Sequence, residues 1–223
     1  MEFKICGITN VEDALMAVEE GADALGFLFY PPSPRHLRPR DAFRIMERLP
    51  ARVCKVGVFV DEPPQKVRCV FNDLGLDLVQ FHGHEDPEYL IALADLPSIK
   101  VIRGEQEELQ WIENYEGLRA VLLDGFDPRL HRSTGRLAHW HLAPRIRARH
   151  RLILAGGLTE GNLAEAVRAT IPDAVDVSSG LEKSPGRKDR EKVKGFMRIA
   201  IRISGSFPGR SVFKRWPLCN ESS

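Results

Sequence analysis

Residues 152–180 read LILAGGLTEGNLAEAVRATIPDAVDVSSG. The apolar runs Leu152–Ala155 and Ala174–Val177 have the composition of strands buried on both faces. Between them, Glu160–Arg168 carries a helical pattern, with Thr159 ahead of it as an N-cap and acid in the first turn. A strand, a helix and a second strand joined this closely predict a parallel pair with a right-handed crossover.

Working outward, the same unit repeats. Phe3–Cys6, Ala24–Phe29, Val53–Val60, Leu76–Phe81, Ile99–Ile102 and Ala120–Leu123 are six further apolar runs. Helical patterns lie between them, among them Pro64–Leu74 and Val11–Glu20; the latter has Val11, Leu15 and Val18 on one face and Gly21 as a stop. Eight strand–helix units predict an α/β protein, a single (β/α)₈ TIM barrel with a closed parallel sheet, over residues 1–203. The count and the regular spacing favour closure over an open doubly wound sheet. Residues 204–223, SGSFPGRSVFKRWPLCNESS, are rich in breakers and read as a C-terminal tail, frayed or lying on the barrel.

The chain has 223 residues and a formal net charge of +1, which gives no reason to expect nucleic acid or an anionic membrane as partner. Cys6, Cys54, Cys69 and Cys219 form no CxxC pair and no zinc spacing. The first residues lack the apolar core of a signal peptide, and no run is long enough to span a bilayer. The expectation is a cytoplasmic protein with reduced thiols. The glycosylation pattern at Asn220 is then accidental.

A parallel barrel carries its chemistry at the C-terminal strand ends. Cys6 ends the first run; it reads as a general base if nearby positive charge favours its thiolate, or as a small inert core residue. Asp124 ends the sixth and reads as a proton donor or as a loop cap. Arg35, after the second strand, offers a fork that matches a carboxylate, or is one of three solvated arginines with Arg38 and Arg40. Gly156-Gly157 and Ser178-Ser179-Gly180 close the last two strands, where barrels often bind phosphate; the alternative is a pair of tight turns. Gln80, His82 and Arg103 are further strand-end candidates for the substrate. His82, His84, Glu85 and Asp86 lack a fixed metal-ligand spacing, and pocket-lining roles suit Gln80 and His82 better.

These stretches closely resemble the phosphoribosylanthranilate isomerase family. The resemblance runs in order through KICGIT (4–9), GFLFYPPSPR (26–35), VGVFVDEP (56–63), VQFHG (79–83), LLD (122–124), LAGGLTEGNLAEAV (154–167) and DVSSGLEKSPGRKD (176–189). It implies an Amadori-type aldose-to-ketose rearrangement in tryptophan biosynthesis. It makes Cys6 the general base, Asp124 the general acid and Arg35 the holder of the anthranilate carboxylate, with phosphate in the loops of Gly157, Ser179 and Gly180. It implies no metal and no organic cofactor, a small phosphorylated substrate, no nucleic-acid or membrane partner, and a monomer or homodimer. Two departures stand out. Arg132 and Ser133 replace the family's glycine pair ahead of Thr134 and Gly135, and His139 replaces the acid before Trp140. Such a loop should be stiffer and more positive. The rival expectations are a catalytically impaired phosphosugar-binding barrel and another phosphosugar isomerase or epimerase.

Overall fold

The computed structural model describes residues 1–104, 106–112, 115–125 and 139–214. Eight parallel strands close in chain order: β1 (Glu2–Cys6), β2 (Ala24–Leu28), β3 (Cys54–Phe59), β4 (Leu78–Phe81), β5 (Ser98–Ile102), β6 (Ala120–Asp124), β7 (Leu152–Ala155) and β8 (Ala174–Val177). The ring shuts where Ile5 of β1 lies beside Val177 of β8. Helices alternate with the strands: α1 (Val11–Glu19), α2 (Pro39–Met46), α3 (Pro64–Leu74), α4 (Pro87–Ala92), α5 (Gln106–Ile112), α6 (Ala143–Arg147), α7 (Leu163–Thr170) and α8 (Arg190–Ser204). A two-stranded hairpin, β9 (Glu182–Ser184) with β10 (Arg187–Lys188), rises between β8 and α8.

The side-chain period of two sorts each strand into an outer and an inner row. On β1, Phe3 and Ile5 join the core under the helices, so Lys4 and Cys6 fall to the barrel interior. Ala24, Cys54, Val56, Leu78, Ile99, Val101, Ala120, Leu122, Ile153 and Ala174 fill that interior as one buried apolar cluster. The same parity carries Asp124 and Asp176 inward at the upper ends of β6 and β8. The residues legible as strand ends therefore share one mouth because they share one parity.

Helix ends follow local chemistry. The Asn10 side chain accepts from Asp13 N at the start of α1, and Asp189 accepts from Glu191 N and Lys192 N at the start of α8. The helix expected from Glu160 begins instead at Leu163, which corrects Thr159 as its cap. Asn162 accepts from Thr159 N at 2.8 Å and donates to the Gly157 carbonyl at 2.9 Å, so 160–162 form a turn that pins the loop after β7.

Residues 205–214 of the tail double back beneath the barrel. Arg210 pairs with Asp173 at 2.8 Å, and the Glu2 carboxylate accepts from Val212 N at 2.6 Å and Phe213 N at 2.8 Å. Val212 and Phe213 are buried within the inner cluster, closing the floor. Each such side chain contributes about 1.5–3 kcal/mol by leaving water. Residues 215–223, with Cys219 and the Asn220 pattern, lie outside the described residues.

Candidate active site

Cys6 is the last residue of β1, and Gly7, at φ +78°, turns the chain away from the barrel. A side chain on Gly7 would collide with the Arg35 stem at 2.6 Å, so the glycine lets Arg35 close in over the strand end. Across the β1–β2 ladder Cys6 faces Gly26. A Cβ on Gly26 would lie 2.6 Å from the Cys6 sulfur and 3.1 Å from Lys4 Nζ. The missing side chain is thus the space in which thiol and ammonium meet. Lys4 is fully buried, and its Nζ lies 2.7 Å from Asp176 Oδ2. Burial pushes the Cys6 thiol above its ordinary value; the Lys4 and Lys188 ammonium groups pull it back, while Asp176 adds to the rise. For Lys4, burial favours the neutral amine, yet Asp176 and Cys6 outweigh it and hold the ammonium charged.

On the other side of the mouth, Asp124 ends β6, three strands from β1 by the shorter way round the ring. Its carboxylate lies 3.7 Å from His82 Nε2. His82 is braced from behind: Gln80 Nε2 lies 3.2 Å from its Nδ1, and Arg103 donates to its carbonyl at 2.6 Å. With the Gln80 amide so assigned, Nδ1 accepts and a neutral ring carries its proton on Nε2, toward Asp124. The His139 ring packs over Gly104, beside Arg103, and its backbone adopts φ +74°. The other departures of that loop, Arg132 and Ser133, lie outside the described residues, as do Thr134 and Gly135 after them.

A cavity of about 310 Å³ gathers these groups. Cys6, Asp124, Arg35 and His82 line it, together with Asp176. So do Gly156, Gly157, Ser178, Ser179 and Gly180, which form its β7–β8 side. Gly156 and Gly157 take φ of +87° and +62°, and a Cβ on Gly180 would strike the Leu158 carbonyl at 2.0 Å, so two of these positions need a glycine conformation and the third needs glycine size. Gln80 and Arg103 do not line the cavity. Gln80 is fully buried one layer below, and Arg103 is turned toward the His82 backbone, so both support His82 from behind the wall.

A second ring of charge holds the β1 end. Lys188, from the hairpin, donates to the Cys6 carbonyl at 2.6 Å, the Ser178 carbonyl at 3.2 Å and Glu182 Oε1 at 3.1 Å. Arg35 donates from Nε at 2.8 Å and from Nη2 at 2.6 Å to the two oxygens of Glu182. Burial alone would raise the Glu182 carboxyl, but these two cations hold it below its ordinary value. The sequence assigns no role to Lys4, Asp176, Glu182 or Lys188. The available signal is a charged residue inside the apolar strands FKIC and AVDV, where burial on both faces requires a partner.

The histidine-rich loop after β4 is otherwise occupied. Glu85 accepts from Gly83 N at 3.0 Å and pairs with the buried Lys100 at 2.8 Å, and His84 stands exposed beside Asp61. Among the described residues, no three metal-ligating side chains cluster. A larger cavity, about 700 Å³, opens among Tyr115, His150, Arg151 and Arg210. It lies at the N-terminal ends of β6 and β7, away from every strand-end residue above, so the smaller mouth is the chemical one.

The family model of N-(5'phosphoribosyl)anthranilate (PRA) isomerase matches residues 3–198. An N-(5'-phosphoribosyl)anthranilate isomerase from Trichlorobacter lovleyi is 48% identical over 202 residues, covering 90% of this chain and 98% of the relative. One from Syntrophus aciditrophicus is 44% identical over 208 residues, 92% of this chain and 89% of the relative. The crystal structure of phosphoribosyl anthranilate isomerase from Thermotoga maritima superposes with a TM-score of 0.83 at 40% identity, covering 91% of this chain and 99% of that one. Another crystal structure of phosphoribosyl anthranilate isomerase, in complex with reduced 1-(o-carboxyphenylamino)-1-deoxyribulose 5-phosphate, gives a TM-score of 0.79 at 42% identity, with coverage of 91% and 99%. A match that spans the whole barrel, in sequence and in fold, means that this chain belongs to the N-(5'-phosphoribosyl)anthranilate isomerase family.

Proposed function

We propose that Cys6 is the general base and Asp124 the general acid of this isomerase, which converts N-(5'-phosphoribosyl)anthranilate to its 1-deoxyribulose 5-phosphate isomer in tryptophan biosynthesis. The observation that carries the assignment is one thiol and one carboxyl, from β1 and β6, lining a single cavity whose β7–β8 side is built of glycine and serine turns. Asp124 gives a proton to the furanose ring oxygen. The C1–O bond breaks as the anilino nitrogen pair forms C1=N⁺. The Cys6 thiolate takes the C2 proton; the C–H electrons become the C1=C2 bond, and the iminium pair returns to nitrogen. The neutral enolamine becomes the ketone by moving a proton from the C2 hydroxyl to C1. Acid and base act on different atoms of one held molecule, which suits opposed walls.

The turns at Gly156-Gly157 and Ser178–Gly180 take the phosphate, through backbone N–H groups that glycine lets an anion approach. Arg35 takes the substrate carboxylate. One edge of its fork is bonded to Glu182, and the donors of Nη1 remain for the ligand. His82 lies within reach of Asp124 and of the substrate, while Gln80 and Arg103 act through His82. The reduced-product complex of a relative supports a ligand of this size and charge in the corresponding barrel.

No helix among the described residues is long and apolar enough to cross a membrane. The family's place in amino-acid biosynthesis supports a cytoplasmic enzyme, working as a monomer or homodimer. The test is direct: anthranilate fluorescence followed as phosphoribosylanthranilate is consumed. A folded protein that binds the substrate and leaves it unchanged would replace this reading with a phosphosugar-binding barrel.

A further inference from the structure

We infer that Lys4, paired with Asp176, is a positioning residue that sets the charge state of the Cys6 sulfur. The inference rests on Cys6 as the base. Lys4 is one inward position below Cys6 on β1, and neither the family motif nor the strand-end logic gives it a task. A buried lysine in a barrel interior is costly unless its charge is used or matched. Asp176 matches it at 2.7 Å through Oδ2, yet Asp176 Oδ1 is buried without a hydrogen-bond partner. A pair kept only for stability would be poorly made, since an apolar pair of similar volume would serve as well. The open space at Gly26, bounded by both Cys6 Sγ and Lys4 Nζ, gives the ammonium a second neighbour.

The charges around the thiol point the same way. Lys4 on β1, Lys188 on the hairpin and Arg35 after β2 are cations; Asp176 on β8 and Glu182 on β9 are the nearby carboxylates. Facing strands add Gly26 from β2 and Ala155 from β7, which carry no charge. From β3 comes Cys54, whose thiol burial pushes far up and keeps protonated. His82 and Asp124 line the opposite wall, and the proposed role of Asp124 as the acid starts with its proton in place. Three cations therefore face two carboxylates until Cys6 loses its proton, and in a low-dielectric pocket that leftover charge favours the thiolate. Of the three, Lys4 shares the space beside the sulfur and has the largest effect on it among them, whereas Lys188 bonds the Cys6 carbonyl and Arg35 bonds Glu182. Removing Lys4 makes a thiolate an additional anion beside Asp176.

The test is the rate of Cys6 alkylation by iodoacetamide across pH, read by mass spectrometry of the Cys6 peptide, with the pH profile of kcat/KM alongside. In Lys4→Met the alkylation midpoint and the acid limb of kcat/KM both move up by about one pH unit or more, and neutral-pH kcat falls about ten-fold with KM little changed. If Asp176, left alone, prevents folding, Lys4→Met/Asp176→Asn removes both charges together; its midpoint also rises, by less. A midpoint at the parent value in either folded variant overturns the inference. A purely structural lysine would cost stability or kcat and leave that midpoint in place. Alkylation needs no turnover, so an error in Cys6 as base shows separately, as full activity in Cys6→Ala.

Discussion

Lys188 stands 182 residues after Cys6 in the chain, yet its ammonium donates to the Cys6 carbonyl at 2.6 Å. The contact ties the hairpin between β8 and α8 to the first strand of the barrel. Lys188 N also donates to Asp13 of α1 at 2.9 Å, and Thr9 Oγ1 donates to the Gly186 carbonyl, so the hairpin is fastened on both sides of the β1 end. Burial holds the Lys188 ammonium below its ordinary value, and Glu182 opposes that effect. The Cys6 backbone is thus held from the hairpin as well as from its own strand, a seat that suits the proposed base.

Cys6→Ala and Asp124→Asn should each lower turnover by about two to four orders of magnitude, the usual worth of a positioned acid or base. Both changes are small, so far-ultraviolet circular dichroism and the melting temperature should stay near the parent's. Full activity in either folded variant would refute the assigned roles.

Gly26→Ala separates activity from fold. The new methyl would lie 2.6 Å from the Cys6 sulfur and 3.1 Å from the Cys6 Cα, so the sulfur must move within a tightly packed layer. Crowding of this kind costs about 1–3 kcal/mol of stability. We expect kcat to drop further than in a change of equal destabilisation elsewhere, such as Val193→Ala on the buried face of α8. Equal kcat in the two variants would show that the sulfur position is not critical.

Gly180→Ala tests the proposed phosphate turn. Its Cβ would meet the Leu158 carbonyl at 2.0 Å, and backbone cannot swing aside as a flexible side chain can. The turn must open, so KM for the phosphorylated substrate rises while Cys6 alkylation is unaffected. Parent-like KM in steady-state kinetics would remove the phosphate from this loop.

The docked tail makes an acid-sensitive contribution to stability. Burial would raise the Asp173 carboxyl, but bonds from Arg210, joined by Leu152 N, hold it below its ordinary value. A carboxyl lowered by folding stabilises above its unfolded pKa and loses that contribution as pH falls through its folded one. Arg210→Ala should therefore be less stable than the parent at pH 7, and the two urea midpoints should converge below about pH 4. A gap unchanged in acid would show that the pair does not carry the difference. Phe213→Ala, at the barrel floor, should cost about 3–5 kcal/mol with KM intact.

Much of this protein is legible before any coordinates. Pro64–Leu74 is α3 to the residue, and Leu152–Ala155 and Ala174–Val177 are β7 and β8. Cys6, Asp124 and His82 reach the mouth because strand-end position and parity are local properties of a chain, while Arg35 comes in from the loop after β2 over Gly7. Glu160 reads as a helix start because a helix-like composition does not reveal that Asn162 satisfies the loop backbone first. Gln80 reads as facing substrate because parity points it inward without telling which layer it occupies.

Apolar periodicity and turn chemistry act over a few residues, so the order of strands and helices, the inward rows and the family motifs are all written locally in the chain. Only the closed barrel decided that Lys4 meets Asp176, that Arg35 spends part of its fork on Glu182, that Lys188 braces Cys6, and that Phe213 seals the floor. Those partners are far apart in the chain, and a buried charge is matched by whatever the fold brings beside it, which no local pattern encodes.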